Sequence, residues 1–226
     1  MPDSSNTVLT VRKAAKFFGT RLVFKGVSCD VKAGQILLVV GRNGAGKTTL
    51  LKIMAGLSRP SSGSVEMFTA PEKSAYLGHA TFLYPRLSAV ANLKFWASMY
   101  GLSPSNDVLM GLLKRVGLER AAEEKAGSFS RGMAQRLNLA RVFLINPDLI
   151  FLDEPGTGLD QSSLKLLRDE IVGFRDRGSA VVWISHDVRL DCGLADMVLG
   201  LSSKKQGYFG PSSEFDPSLI LGVDAC

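Results

Sequence analysis

Ile36-Leu37-Leu38-Val39-Val40-Gly41-Arg42-Asn43-Gly44-Ala45-Gly46-Lys47-Thr48-Thr49 decides the fold: five apolar residues, a glycine-rich turn, then an amphipathic segment running through Met54. The apolar run bounded by glycine reads as a buried strand, and the segment after the turn as a helix. The spacing Gly-x4-Gly-Lys-Thr fits a phosphate-binding loop, because Gly41, Gly44 and Gly46 let backbone N–H groups converge where a side chain would obstruct them. Those donors and the helix N-terminus make an anion site, so Gly41 to Thr49 are candidate contacts for a nucleoside triphosphate. The Lys47 ammonium would reach the outer phosphates, and the Thr48 hydroxyl suits a hard cation such as Mg2+.

Composition bounds what surrounds this stretch. A chain of 226 residues with 46% hydrophobic content can bury one substantial core, so a single domain over 1–226 is expected, with at most a subordinate inserted lobe. The net charge of +6 and pI near 9.3 leave nucleic acid or an anionic surface open, but the cations are scattered. The largest groups, Lys114-Arg115 and Lys204-Lys205, are short and isolated and read as solvated faces, so no direct nucleic acid contact is expected. Cys29, Cys192 and Cys226 form neither a disulfide framework nor a metal motif. No signal-peptide core opens the chain, and no apolar run reaches the roughly 18 residues that span a bilayer. The expected location is cytoplasmic, peripheral on the inner face of the cell membrane through partners.

In chain order, Thr7–Arg12 and about 22–31 read as strands around a turn at Gly19. Phe18, beside that glycine, is the candidate face for stacking on a base, while Phe17 suits stacking and burial equally. Short strands follow at about 64–68 and 74–77, ending in Gly78-His79. From Leu87 the spacing turns helical, and Val90, Leu93, Phe95, Trp96, Met99 and Tyr100 predict one apolar face whose aromatics are core. A break at Ser103-Pro104 starts a second helix, and Gly127 to Arg136 leads into a third, giving an inserted helical lobe over about 85–145. Leu149 to Glu154 is an apolar strand delivering two carboxylates at its C-terminal end, the edge of a parallel sheet where ligands bind. Asp153 suits Mg2+ through a water shell, and Glu154 suits activation of an attacking water. The buried strand Ala180–Ile184 ends at Ser185-His186-Asp187, which places His186 on the same edge, at the γ-phosphate.

With these pieces placed, the chain resembles the ATP-binding cassette (ABC) family over nearly its whole length. The loop at Gly41 is similar to its Walker A motif, Ser130-Arg131-Gly132-Met133 to its signature, Leu149 to Glu154 to Walker B, Gly158-Leu159-Asp160 to the D-loop and His186 to the switch histidine. The resemblance implies an α/β fold: a P-loop NTPase core with a mostly parallel central sheet, an N-terminal antiparallel β-subdomain and an inserted α-helical subdomain. It implies ATP and Mg2+, held between two copies of the chain. Each site would then pair Lys47, Asp153 and Glu154 of one copy with Ser130 and Gly132 of the other, and the work would be done on integral membrane subunits. Two positions depart from the family pattern. His79 stands where glutamine is usual on the loop that senses the γ-phosphate, and FSRGM replaces LSGGQ.

Tyr76-Leu77-Gly78-His79, followed by Leu83-Tyr84-Pro85-Arg86-Leu87-Ser88-Ala89 and Asn92-Leu93, is similar to the ATPase of the cytochrome c maturation heme exporter, the CcmA type. That resemblance implies CcmB-like and CcmC-like membrane partners. The chain lacks a Cys-x-x-Cys-His motif, so no direct heme ligation is expected. Two other readings stay open: the ATPase of an exporter of drugs, lipids or polysaccharide, and a soluble cassette acting on ribosomes or DNA. The last class typically carries two cassettes or a long coiled-coil insertion, and neither is read here. A neutral imidazole at position 79 can still bridge a Mg2+-bound water, so His79→Gln should leave basal ATPase activity largely intact. Total loss of turnover in that variant would rule out a simple substitution of roles.

Overall fold

The computed structural model describes residues 6–78, 81–185 and 187–222. Along the chain, β1 (Thr7–Phe18) and β2 (Arg21–Lys32) form a hairpin, and β3 (Ile36–Gly41) leads through the glycine turn into α1 (Lys47–Met54). The strands β4 (Ser62–Met67) and β5 (Ser74–Leu77) precede three helices, α2 (Ala89–Met99), α3 (Asn106–Arg115) and α4 (Arg131–Ile145). Then come β6 (Leu149–Asp153), α5 (Gln161–Asp176), β7 (Ala180–Ile184), α6 (Val188–Cys192), β8 (Met197–Ser202), β9 (Lys205–Pro211) and α7 (Ser218–Leu221).

All nine strands join one sheet in the order β4-β1-β2-β9-β8-β3-β7-β6-β5. The run β8-β3-β7-β6-β5 is parallel throughout. β1 pairs antiparallel with both β2 and β4, and β9 antiparallel with β8. The antiparallel arm meets the parallel core at one register pair, Lys25 with Lys205, between β2 and β9. The expected α/β architecture, a mostly parallel sheet with an antiparallel N-terminal part, is therefore the observed one. β1 extends past Arg12 to Phe18 because the register shifts between Val11 and Ala14, where Lys13 takes φ +47. A bulge of this kind breaks the two-residue alternation without ending the strand, so a reading by alternation stops early.

β3, β6 and β7 are buried on both faces, and their residues alternate between two cores. Ile36, Leu38 and Val40 face one core with Ile150, Leu152, Val181 and Trp183; Leu37 and Val39 face the other with Leu149, Phe151, Val182 and Ile184. Leu50, Leu51, Ile53 and Met54 of α1 cover the second face, while helices α2 to α5 cover the first. With each such side chain contributing about 1.5–3 kcal/mol on burial, the strands that carry the glycine turn and the two acids are among the most firmly held parts of the chain.

Each helix of the 89–145 segment is entered through a serine cap. Ser88, Ser105 and Ser130 accept from the backbone N–H of Ala91, Val108 and Met133, satisfying donors that a helix start leaves open. Asn92, fully buried, accepts from the Tyr84 N–H and donates to the carbonyls of Tyr84, Leu87 and Ser88, fixing the entry loop. The aromatic face differs from the expected core. Val90, Leu93 and Ala97 are buried, whereas Phe95, Trp96 and Tyr100 are half-buried and Met99 is 64% exposed. At 100° per residue Val90, Leu93 and Ala97 share one face, which leaves Met99 on the solvent side. Trp96 instead packs with Tyr84, Phe95 and Tyr100, and its indole N–H donates to the Phe82 carbonyl. The nearly buried Arg141 guanidinium lies over Trp96 and donates to Asn138 Oδ1, Tyr100 Oη and the Tyr76 carbonyl. Among the described residues no helix is long and apolar enough to cross a membrane.

β2 runs directly against the glycine turn. A Cβ on Gly46 would lie 2.7 Å from Val23 Cγ1, and Gly46 has φ +99. Only glycine meets both conditions without strain. Gly46→Ala should lower the unfolding free energy by about 1–3 kcal/mol, read by urea denaturation. A value within about 0.5 kcal/mol of wild type would show that Val23 yields to the added methyl.

Candidate functional site

The parallel register sets the site. β3, β7 and β6 are adjacent and point the same way, so the turn after β3 and the acids after β6 emerge on one edge of the sheet. There the Thr48 hydroxyl donates to Asp153 Oδ1 at 2.9 Å, joining residues 105 positions apart. Tyr76, on β5, donates its hydroxyl to Asp153 Oδ2 at 2.8 Å. Asp153 is 1% exposed, so both oxygens of a buried carboxylate are occupied by neutral donors. Burial first, then the hydrogen bond to Asp153 and the carboxylate's charge, hold the Tyr76 phenol well above its usual pKa. It therefore remains a donor at neutral pH.

Lys47 folds back over its own loop, with Nζ donating to the Gly41 carbonyl at 2.8 Å and the Arg42 carbonyl at 3.4 Å. Burial pulls its pKa down, against the opposing charges of Glu154 and Asp153. Glu154 has φ +52, a conformation that an L-residue adopts at a penalty. Its backbone N–H donates to the Ile184 carbonyl at 3.0 Å, which fixes the turn out of β6 against the end of β7.

A cleft of about 430 Å³ opens above the loop, lined by Phe18, Arg21, Leu22, Val23, Asn43, Gly44, Gly46, Lys47, Thr48, Thr49, Glu154 and Lys204. That volume lies within the range of small-molecule sites. Phe18 is 59% exposed at one end, with the Lys16 ammonium 5.2 Å from its ring centroid, and Phe17 is 40% exposed rather than buried. Arg42 and Ala45, at the other expected loop positions, line a shallower groove with Asn43, Gly44 and Lys204. Arg21 did not stand out in the sequence, and Tyr76 and Lys204 were noted there without a role in the site. Lys204, read as a solvated face, in fact borders the cleft.

Ser130 and Gly132 sit at the start of α4 and do not line this cleft. Their helix is held to the Glu154 turn: Gln135 Nε2 donates to the Pro155 carbonyl at 3.1 Å, and a Cβ on Gly158 would meet the Arg131 side chain at 3.1 Å. Behind Glu154, Ser185 Oγ donates to buried Asp191, which also pairs with Arg168 Nε at 2.7 Å. This network anchors the end of β7. His79 and His186 lie outside the described residues, as does Cys226. Cys29 and Cys192 are free thiols, pushed up to about 12 and about 11 chiefly by burial.

Thr48 and Asp153 present two hard oxygens within hydrogen-bond distance of each other beside Lys47. That donor set fits Mg2+, which takes oxygen ligands from one or two side chains and completes its shell with water and substrate phosphate. Among the described residues no cluster of three His, Cys, Asp or Glu could hold a metal.

Residues 24–157 match the family model described as "ABC transporter". The cytochrome c biogenesis ATP-binding export protein CcmA of Rhodopseudomonas palustris is 40% identical over 174 residues, covering 74% of this chain and 86% of that protein. The uncharacterized ABC transporter ATP-binding protein YdbJ of Bacillus subtilis is 35% identical over 202 residues, covering 85% of this chain, which spans 65% of YdbJ's length. Among solved structures, an ATP binding subunit of an ABC transporter superposes with a TM-score of 0.83 at 26% identity, covering 91% of this chain and 90% of its own.

Removing the Tyr76 hydroxyl would leave a buried acceptor with one donor fewer. Tyr76→Phe should reduce stability at pH 7 by about 1–3 kcal/mol. A raised phenol pKa contributes stability that is complete below the usual range near 10 and is lost as pH rises above it, so the variant should also lack that part of the wild type's alkaline destabilisation. Urea unfolding at neutral and alkaline pH reads both effects, and an unchanged curve would show that Asp153 finds another donor.

Proposed function

The chain belongs to the ABC transporter family, and from that membership we propose that it is the ATP-hydrolysing subunit of the heme exporter of cytochrome c biogenesis. The observation that carries the catalytic part is the 2.9 Å contact between Thr48 and Asp153 at the mouth of the glycine turn. The heme-export part rests on the likeness to CcmA and on the Gly78-His79 stretch.

In this reading the backbone N–H groups of the loop and the start of α1 receive the β- and γ-phosphates, and Lys47 exchanges its carbonyl partners for phosphate oxygens. Phe18 stacks on the adenine. Thr48 and Asp153 would hold Mg2+, which would neutralise charge that builds on the phosphate oxygens. Glu154 orients the attacking water and accepts its proton, and His186 steadies the γ-phosphate. Positioning and charge stabilisation supply most of the acceleration in phosphoryl transfer.

A second copy completes the site. The Ser130 hydroxyl uses one lone pair to cap α4, which leaves its hydrogen free to donate to a phosphate. It stands with Gly132 at the positive end of a 15-residue helix. Closure of two copies over two ATP molecules and reopening after hydrolysis would move CcmB-like and CcmC-like membrane subunits, with the ATPase on the cytoplasmic face of the membrane. One nucleotide-binding domain over 1–226, with the lobe at about 85–145 inserted, serves this design. The exposed Phe82, Tyr84 and Met99 lie on that lobe and its entry loop, where such a subunit would dock.

The likeness to YdbJ over 85% of this chain favours a second reading, an ATPase for a different exporter. Co-purification separates the two: a CcmB-like partner supports heme export, and a large permease with an unrelated substrate overturns it. For the chemistry, Glu154→Gln should retain ATP binding while lowering turnover by about 10²-fold or more. Hydrolysis at the wild-type rate would remove Glu154 from its role.

A further inference from the structure

The turn between β8 and β9 contains two residues, Ser203 and Lys204, with φ +49 and +61. Two-residue hairpins that take positive φ at both positions favour Asn-Gly or Gly-Gly, because a Cβ is penalised there. This turn has no glycine. It is also the joint of the sheet: the Lys25 N–H donates to the Lys204 carbonyl at 2.9 Å, beside the register pair of Lys25 with Lys205. That duty belongs to the backbone, and glycine would serve it with less strain. The side chain needs a separate explanation.

Lys204 lines the cleft that contains Phe18, Gly44, Lys47 and Thr49, and it also borders the groove at Arg42 and Asn43 where the loop begins. With Arg21 and Lys47 it makes three cations around one cleft, against the single carboxylate of Glu154. Like charges gathered in a cleft repel one another and raise the local concentration of anions. We propose that Lys204 is a nucleotide-contacting residue, a second lysine reaching the phosphates of bound nucleoside triphosphate from the sheet side of the loop. Its position, kept at a strained turn, is a local concession of backbone stability to ligand charge. The proposal rests on the reading of this cleft as the Mg-ATP site.

Binding of Mg-ATP to the full chain, measured by titration calorimetry at low salt and at about 0.5 M salt, tests it together with the melting temperature of the nucleotide-free protein. Lys204→Gly should raise the melting temperature by relieving strain and weaken binding about three- to ten-fold at low salt, with the loss shrinking in high salt. Lys204→Arg should retain affinity. Ser203→Gly, which relaxes the neighbouring residue and keeps the charge, should raise the melting temperature and leave affinity unchanged. If Lys204→Gly binds as wild type while Lys47→Ala does not, Lys204 is only a solvated turn residue and the proposal fails. A loss independent of salt overturns it as well, by assigning the effect to turn geometry. If neither Lys204→Gly nor Lys47→Ala alters binding, it is the nucleotide reading of the cleft that fails.

Discussion

Everything at this site depends on the register of two strands across a third. Ile184 of β7 pairs with Val39 of β3 on one side and with Asp153 of β6 on the other, so β3 runs two residues beyond β6 before its turn, and the Thr48–Asp153 contact forms only in that register. A slip of one residue would turn every core side chain of the slipped strand to the opposite face. The two packed cores therefore act as the gauge for the site, and hydrophobic alternation is converted into ångström-scale placement of a hydroxyl and a carboxylate.

What is stabilised and what is strained divide along the same edge. β3, β6 and β7 are wholly buried, while non-glycine residues in the turns along that edge take left-handed conformations: Glu154 at φ +52 after β6, and Ser203 and Lys204 after β8. Backbone strain persists only where its surroundings over-determine it. Here the neighbours are identifiable. The Ile184 carbonyl holds Glu154, and the Lys25 N–H holds Lys204.

The glycine turn and the paired acids were legible because their signals are local: an apolar run, glycine spacing and a charge at the strand's end lie within about a dozen residues. The inserted helices were legible through their periodicity and the Ser103-Pro104 break. Tyr76, Arg21 and Lys204 were not, since each becomes meaningful only when a separate strand brings it to the cleft. The five-residue α6 and four-residue α7 were missed because a single turn leaves no measurable period. Trp96 shows a different failure. Helical spacing marked an apolar face correctly, but amphipathic aromatics can close a surface as well as fill a core, and periodicity cannot distinguish the two.

Arg141 carries a consequence for movement. Among the described residues its guanidinium, buried where α4 meets β5, has neutral oxygens and aromatic faces as partners. Asn138, Tyr100 and Trp96 belong to the lobe and move with Arg141, so a tilt of the lobe away from β5 would break one hydrogen bond of this ion, the one to the Tyr76 carbonyl, and carry the rest of its shell along. A hydrogen bond from a charged donor contributes about 1.5–3 kcal/mol, so that single bond sets a threshold for parting the lobe from the sheet.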